Sequence, residues 1–129
     1  MTGPSGSKPV LVDSSGWIEY LGDGAKADEF FPYLQREDLL IVPSIVLYEV
    51  YKKLHREAHR NAAMRFVSHA LRGRSVAFDS DLAMHAAEVS MDLKLAMADA
   101  IIYATAQHFH AELVTADHHF AALPGVTII

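Results

Sequence analysis

Apolar positions in this chain fall into two patterns, short uninterrupted runs and longer stretches with helical spacing, and the two alternate from one end to the other. Residues 9–12 form a short β-branched run that stops at Asp13-Ser14-Ser15, good helix N-cap residues, so a strand should lead into a helix through Trp17 to Leu21. Gly22-Asp23-Gly24 breaks that helix, and residues 25–35 resume the helical pattern, with Pro32 marking a kink or an early end. Residues 39–42 read as a second buried strand. Pro43-Ser44 then opens a longer helix whose apolar positions recur from Ile45 to Leu54. A further helix over 61–71, stopped by Gly73, makes a helical hairpin before a third strand at 75–78. Asp79-Ser80-Asp81 cap a helix running to about Asp92, and residues 97–110 form a strongly apolar helix, with no clear loop between Glu88 and Met97. Strands at 112–115 and, after Pro124-Gly125, at 126–129 complete the pattern.

Short apolar strands separated by helices predict an α/β domain: a mostly parallel central sheet covered on both faces, in three α/β/α layers. The length of 129 residues suits one domain, expected over 9–129, and the Gly, Ser and Pro of the first eight residues read as a flexible leader. Hydrophobic residues at 51% against 21% charged supply a core large enough to offset chain entropy. No cysteine is present, which removes disulfides, thiolate zinc sites and cysteine nucleophiles. No apolar stretch is long enough to span a bilayer and no basic-then-apolar leader opens the chain, so a cytoplasmic protein with no membrane partner is expected.

Charge complicates that simple picture. The net charge of −5 argues against a polyanionic partner, yet residues 51–74 carry seven Lys and Arg against Glu57 alone. An acidic chain with one basic stripe can still bind a polyanion along it, although a solvated helix face is the commoner meaning of such a run.

The acids carry the chemistry. Ligands of open α/β sheets bind at the carboxyl ends of the strands, and Asp13 and Asp117 each follow a predicted strand. Glu49 and Asp99 lie in the largely apolar helical segments IVLYEVY and LAMADAIIYA. Singly, each has an ordinary explanation: a cap for Asp13, a turn for Asp117, an ion pair with Lys53 for Glu49, backbone donors for Asp99. Four carboxylates gathered in one place would repel, and a cation would be needed to neutralise them. Hard oxygen ligands suit Mg²⁺ or Mn²⁺, and these ions point to phosphodiester chemistry in which no side-chain nucleophile is required.

The order VLVDSSGWIEYL, VPSIVLYEVYKKL, LAMADAIIYATA and LVTADHHF resembles the PIN-domain family, in particular the VapC-type toxins of bacterial toxin–antitoxin pairs. The resemblance runs from Val10 to Ile129. It implies an endoribonuclease that hydrolyses RNA to leave a 5′ phosphate and a 3′ hydroxyl, with Asp13, Glu49, Asp99 and Asp117 as metal ligands and catalytic residues. It also implies hydroxyls beside the first and last acids, here Ser14 and Thr115, a homodimer, and a small antitoxin whose apolar helix docks near the first helices. Lys52, Lys53 and Arg56 are the candidates for contacts to the RNA backbone.

Two other readings compete. A phosphatase of the haloacid-dehalogenase type would need a second acid two residues after Asp13, and position 15 is serine. A catalytically silent binding module, or an RNA-processing nuclease that is not a toxin, would keep the fold. Zinc is disfavoured as the metal: His108 and His110 are two residues apart and point to different sides of a helix, while His118 and His119 flank Asp117 and could meet RNA phosphate or occupy a polar turn. Trp17, Tyr20, Phe30, Phe31, Tyr48 and Tyr51 read as core or partner-binding surface rather than base-stacking platforms.

Overall fold

The computed structural model describes residues 6–129. The proposed leader falls largely on residues 1–5, which lie outside the described residues. The elements are β1 (Val10–Val12), α1 (Ser14–Leu21), α2 (Ala27–Leu34), β2 (Leu40–Pro43), α3 (Ser44–Glu57), α4 (Arg60–Ala70), β3 (Arg74–Val76), α5 (Ser80–Leu93), α6 (Met97–His108), β4 (Glu112–Thr115) and β5 (Val126–Ile128). A short 3₁₀ turn, His118–Phe120, follows β4.

All five strands are parallel, in the order β3-β2-β1-β4-β5. The chain steps outward from β1 through β2 to β3, then crosses back over both to reach β4. Parallel crossovers are right-handed, so α1–α4 and the α5–α6 pair are delivered to opposite faces of the sheet. This is the three-layer arrangement expected from the pattern. The central strands β1 and β2 are buried throughout, β4 nearly so, whereas β3 and β5 at the edges are not. Uniform Val, Ile and Leu in the central strands is therefore the signature of a sheet covered on both faces.

The core is built around Trp17, Phe30, Phe66, Phe120, Leu11, Leu34 and Leu113, all fully buried. Each such side chain stabilises the fold by roughly 1.5–3 kcal/mol relative to an exposed position. Trp17 of α1 meets the Phe66 ring of α4 edge-on at 5.1 Å, joining the first helix to the helical hairpin. Trp17 and Phe30 are thus core, while Tyr48 is 58% exposed and Phe31 45% exposed. Tyr20 stacks on Phe31, with ring centroids 6.1 Å apart.

Several boundaries differ from expectation. Helix α2 begins at Ala27 and runs through Pro32 to Leu34, so the proline lies inside its last turn rather than stopping it. Strand β3 starts at Arg74 and stops at Val76, because the Asp79 N–H turns back to the Ala77 carbonyl ahead of α5. Helix α6 ends at His108, and His110 takes a left-handed conformation at φ 51° to close it. The loop that the sequence conceals is residues 94–96: Lys94 adopts φ 56° and ψ 43°, stopping α5 without Gly or Pro. Ser90 Oγ donates to the Leu95 carbonyl at 2.7 Å and secures the turn. Among the described residues no helix is long and apolar enough to cross a membrane.

Candidate metal centre

The sheet order reverses at β1 and β4: the chain leaves β1 toward β2 and leaves β4 toward β5. A crevice opens where the two connections diverge, at the carboxyl ends of the strands. Asp13 and Asp117 both emerge there, Asp13 immediately after β1 and Asp117 two residues past the end of β4.

Asp13 is 3% exposed, and both its oxygens are engaged. Oδ1 accepts from Ser15 Oγ at 2.7 Å and from the Gly16 N–H at 3.1 Å, while Oδ2 accepts from Thr115 Oγ1 at 2.7 Å. The residue does cap α1, as its ordinary explanation holds, but the Thr115 bond also ties it to β4. Burial raises its pKa against the pull of these three donors, and the Asp117 charge pushes it further up. Thr115 is shared: its Oγ1 also accepts the Asp117 N–H at 2.9 Å. One hydroxyl therefore sets the distance between the first and last acids of the chain.

Asp99 stands in the first turn of α6, and the tight turn at Lys94 brings that end of the helix to the crevice. Burial raises its pKa, as do the charges of Asp117 and Glu49, with His119 opposing. Glu49 lies on α3 and accepts from Ser14 Oγ at 2.6 Å, so the first helix orients the acid of the third. One oxygen each from Asp99 and Asp117, and a ring nitrogen of His119, lie within 4.8 Å of one another. Asp13 and Glu49 are not in that group. They lie close enough for charge to be felt: Asp117 acts on Asp13, and Glu49 on Asp99.

Two participants escaped the sequence reading. Ser15 donates to Asp13 and accepts the Ala116 N–H at 3.2 Å, bridging β1 and β4; its only signal is a hydroxyl two residues past an aspartate. By sequence His119 is a polar-turn residue or a phosphate contact, yet its Nδ1 lies 3.3 Å from Asp117 Oδ1 and 3.9 Å from Asp99 Oδ2. The cause is local: Asp117 Oδ1 accepts the His119 N–H at 2.9 Å, curling the 3₁₀ turn so that the ring returns to the Asp117 carboxylate.

Beside the acids lies a cavity of about 560 Å³ lined by Ser14, Tyr48, Glu49, Lys52, Lys53 and Arg56. Arg56 Nη2 lies 2.9 Å from Glu57 and Lys53 Nζ 3.9 Å from it, both at exposed positions where such pairs contribute little. Lys52 Nζ lies over the Tyr48 ring, 5.5 Å from its centroid. The basic stripe is not continuous, however: Arg72 pairs with Glu37, and Arg74 packs 4.7 Å from the Phe109 ring centroid. A smaller cavity of about 320 Å³ is lined by Asp99 and His119 together with Lys94.

The donor set fits a hard divalent cation. Asp99 and Asp117 converge with one nitrogen, no thiolate is at hand, and among the described residues no Lys or Arg forms an ion pair with any of the four acids.

A parallel fold of this order places carboxylates, rather than a side-chain nucleophile, at its switch point. The PIN domain family model matches residues 10–126, and the chain belongs to the PIN-domain family. No curated protein sequence matches the chain significantly. The fold is similar to that in a toxin–antitoxin complex from Klebsiella pneumoniae, with TM-score 0.78 and 24% identity over 92% of this chain and 95% of that one. It is similar to VapC20 of Mycobacterium tuberculosis, described as a sarcin–ricin loop cleaving toxin, with TM-score 0.73 and 20% identity over 91% and 96% of the two chains. A DNA-bound VapBC from Salmonella typhimurium aligns with TM-score 0.72 and 17% identity over 95% and 97%. At these identities the likeness concerns the fold.

Proposed function

We propose that this chain is a metal-dependent endoribonuclease and the toxin of a toxin–antitoxin pair, with Asp13, Glu49, Asp99 and Asp117 holding Mg²⁺ or Mn²⁺. The observation that carries the reading is the convergence of Asp99 and Asp117, backed by buried Asp13, with no Lys or Arg among the described residues paired to them and only the exposed ring of His119 beside them. Such an arrangement is costly without a cation. A bound divalent ion supplies an acidified water and neutralises charge that develops on the phosphoryl oxygens.

The chain's own residues do the positioning. Thr115 and Ser15 lock Asp13 in one orientation, so its carboxylate cannot swing away to pair elsewhere. Ser14 does the same for Glu49 at the cavity wall. Lys52, Lys53 and Arg56 line the cavity that adjoins the acids and meet the phosphates on one side of the scissile bond, contributing affinity without reading sequence. RNA as substrate, an antitoxin protein as partner, a homodimer and a cytoplasmic setting follow from the same reading, and the described activities of the similar structures support the first two.

The test is cleavage of a labelled RNA. Excess EDTA should abolish it, Mn²⁺ or Mg²⁺ should restore it, and the products should carry 5′ phosphate and 3′ hydroxyl ends. Undiminished cleavage in EDTA would overturn the proposal.

A further inference from the structure

We infer that His119 is a third protein ligand of the metal and biases the centre toward Mn²⁺, or a softer divalent ion, over Mg²⁺. The inference rests on the proposed metal site and adds a residue to it. Three observations carry it. The ring nitrogen of His119 shares a 4.8 Å compass with one oxygen of Asp99 and one of Asp117, the separation expected of ligands around one ion. The backbone of His119 is itself held by Asp117 Oδ1, so ring and carboxylate are presented as a unit rather than by chance approach. Finally, the side chain is 79% exposed, so burial in the core does not account for its position beside two acids.

The chemistry then decides selectivity. Mg²⁺ demands oxygen ligands in near-octahedral geometry and gives up water reluctantly, so a nitrogen in its shell is a poor exchange. Mn²⁺ accepts carboxylate and imidazole alike, and imidazole adds affinity for ions later in the divalent series. An all-carboxylate centre would discriminate less. The competing role, a protonated His119 contacting RNA phosphate, needs no metal at all and predicts the opposite outcomes.

The experiment uses metal alone, without RNA. Mn²⁺ and Mg²⁺ affinities are measured by calorimetric titration for the wild-type protein, His119→Gln, His119→Asp and the neighbouring control His118→Gln. The nitrogen hyperfine coupling of bound Mn²⁺ is read by pulsed electron paramagnetic resonance. The exposed position leaves folding intact, which melting in EDTA verifies. His119→Gln should lose the nitrogen coupling and reduce the preference for Mn²⁺ over Mg²⁺ by about tenfold, the scale on which groups around a metal tune affinity. His119→Asp should lose the coupling yet bind Mg²⁺ more tightly than wild type, and His118→Gln should change neither. Mn²⁺ bound to wild type without a nitrogen coupling, or an unchanged metal preference in His119→Gln, would overturn the role of His119 while leaving the carboxylates intact. No Mn²⁺ binding by wild type would overturn both.

Discussion

Burial costs an ionised Asp99 part of its solvation, and Asp117 and Glu49 add like charge that only the exposed ring of His119 offsets. The folded state accordingly holds the Asp99 proton more tightly than the unfolded chain does. That contribution to stability is fully present below the ordinary aspartate range near about 4, and it is lost as pH rises through the raised folded value. Asp13 acts in the same direction, burial outweighing its three donors. Asp38 and Glu57, held low by Arg36 and Arg56, act in the opposite one, so the overall pH profile mixes both signs. Comparison with Asp99→Asn isolates one residue. Without metal, the melting temperature of Asp99→Asn relative to wild type should increase as pH rises from the carboxylate range to neutrality. A pH-independent difference would mean that Asp99 is not electrostatically strained.

Helix α1 is where local structure and site are most tightly joined, since Asp13 caps it and Ser14 and Ser15 begin it. Its entry against β1 depends on Gly16: a Cβ there would lie 2.5 Å from Val12 Cγ1 and 2.7 Å from Phe30 Cε1, both buried. Gly16→Ala should therefore destabilise the fold by about 1–3 kcal/mol through overpacking, read as a lower urea midpoint, and should weaken activity by moving the two serines. An unshifted midpoint would show that the interface yields freely. Elements of this kind were legible because apolar runs and helical spacing report burial directly. The Asp13 cap and the convergence of Asp99 with Asp117 were legible because each acid sits at a strand end or in an apolar helix. What stayed hidden depends on backbone conformation rather than residue type. Lys94 stops α5 in a left-handed turn that nothing in its side chain announces, and the 3₁₀ turn that folds His119 back is set by a hydrogen bond two residues long. Ser15 is hidden for another reason: besides Asp13, its partners Thr115 and Ala116 are 100 and 101 residues away, at the end of a strand that only the sheet order places beside it.

At the scale of the whole molecule, the crossover from β3 back to β4 brings together acids from the beginning, middle and end of the chain, and α3 carries Glu49 and three cations to the same crevice. The net charge of −5 does not by itself exclude a polyanionic substrate, because Lys52, Lys53 and Arg56 gather along the cavity beside the acids. Stability and function should pull against each other at this crevice, as they do where like charges are gathered for a ligand. The direct measurement is a pair of melting curves for wild type and Asp99→Asn, with and without Mn²⁺, with RNA cleavage assayed on the same samples. Without metal, Asp99→Asn should melt at or above wild type. With Mn²⁺, wild type should gain stability through preferential binding to the folded state and the variant much less, while its cleavage falls by orders of magnitude. If Asp99→Asn instead unfolds the metal-free protein, or cleaves RNA as wild type does, Asp99 is a structural residue and the carboxylates do not form a metal-dependent nuclease site.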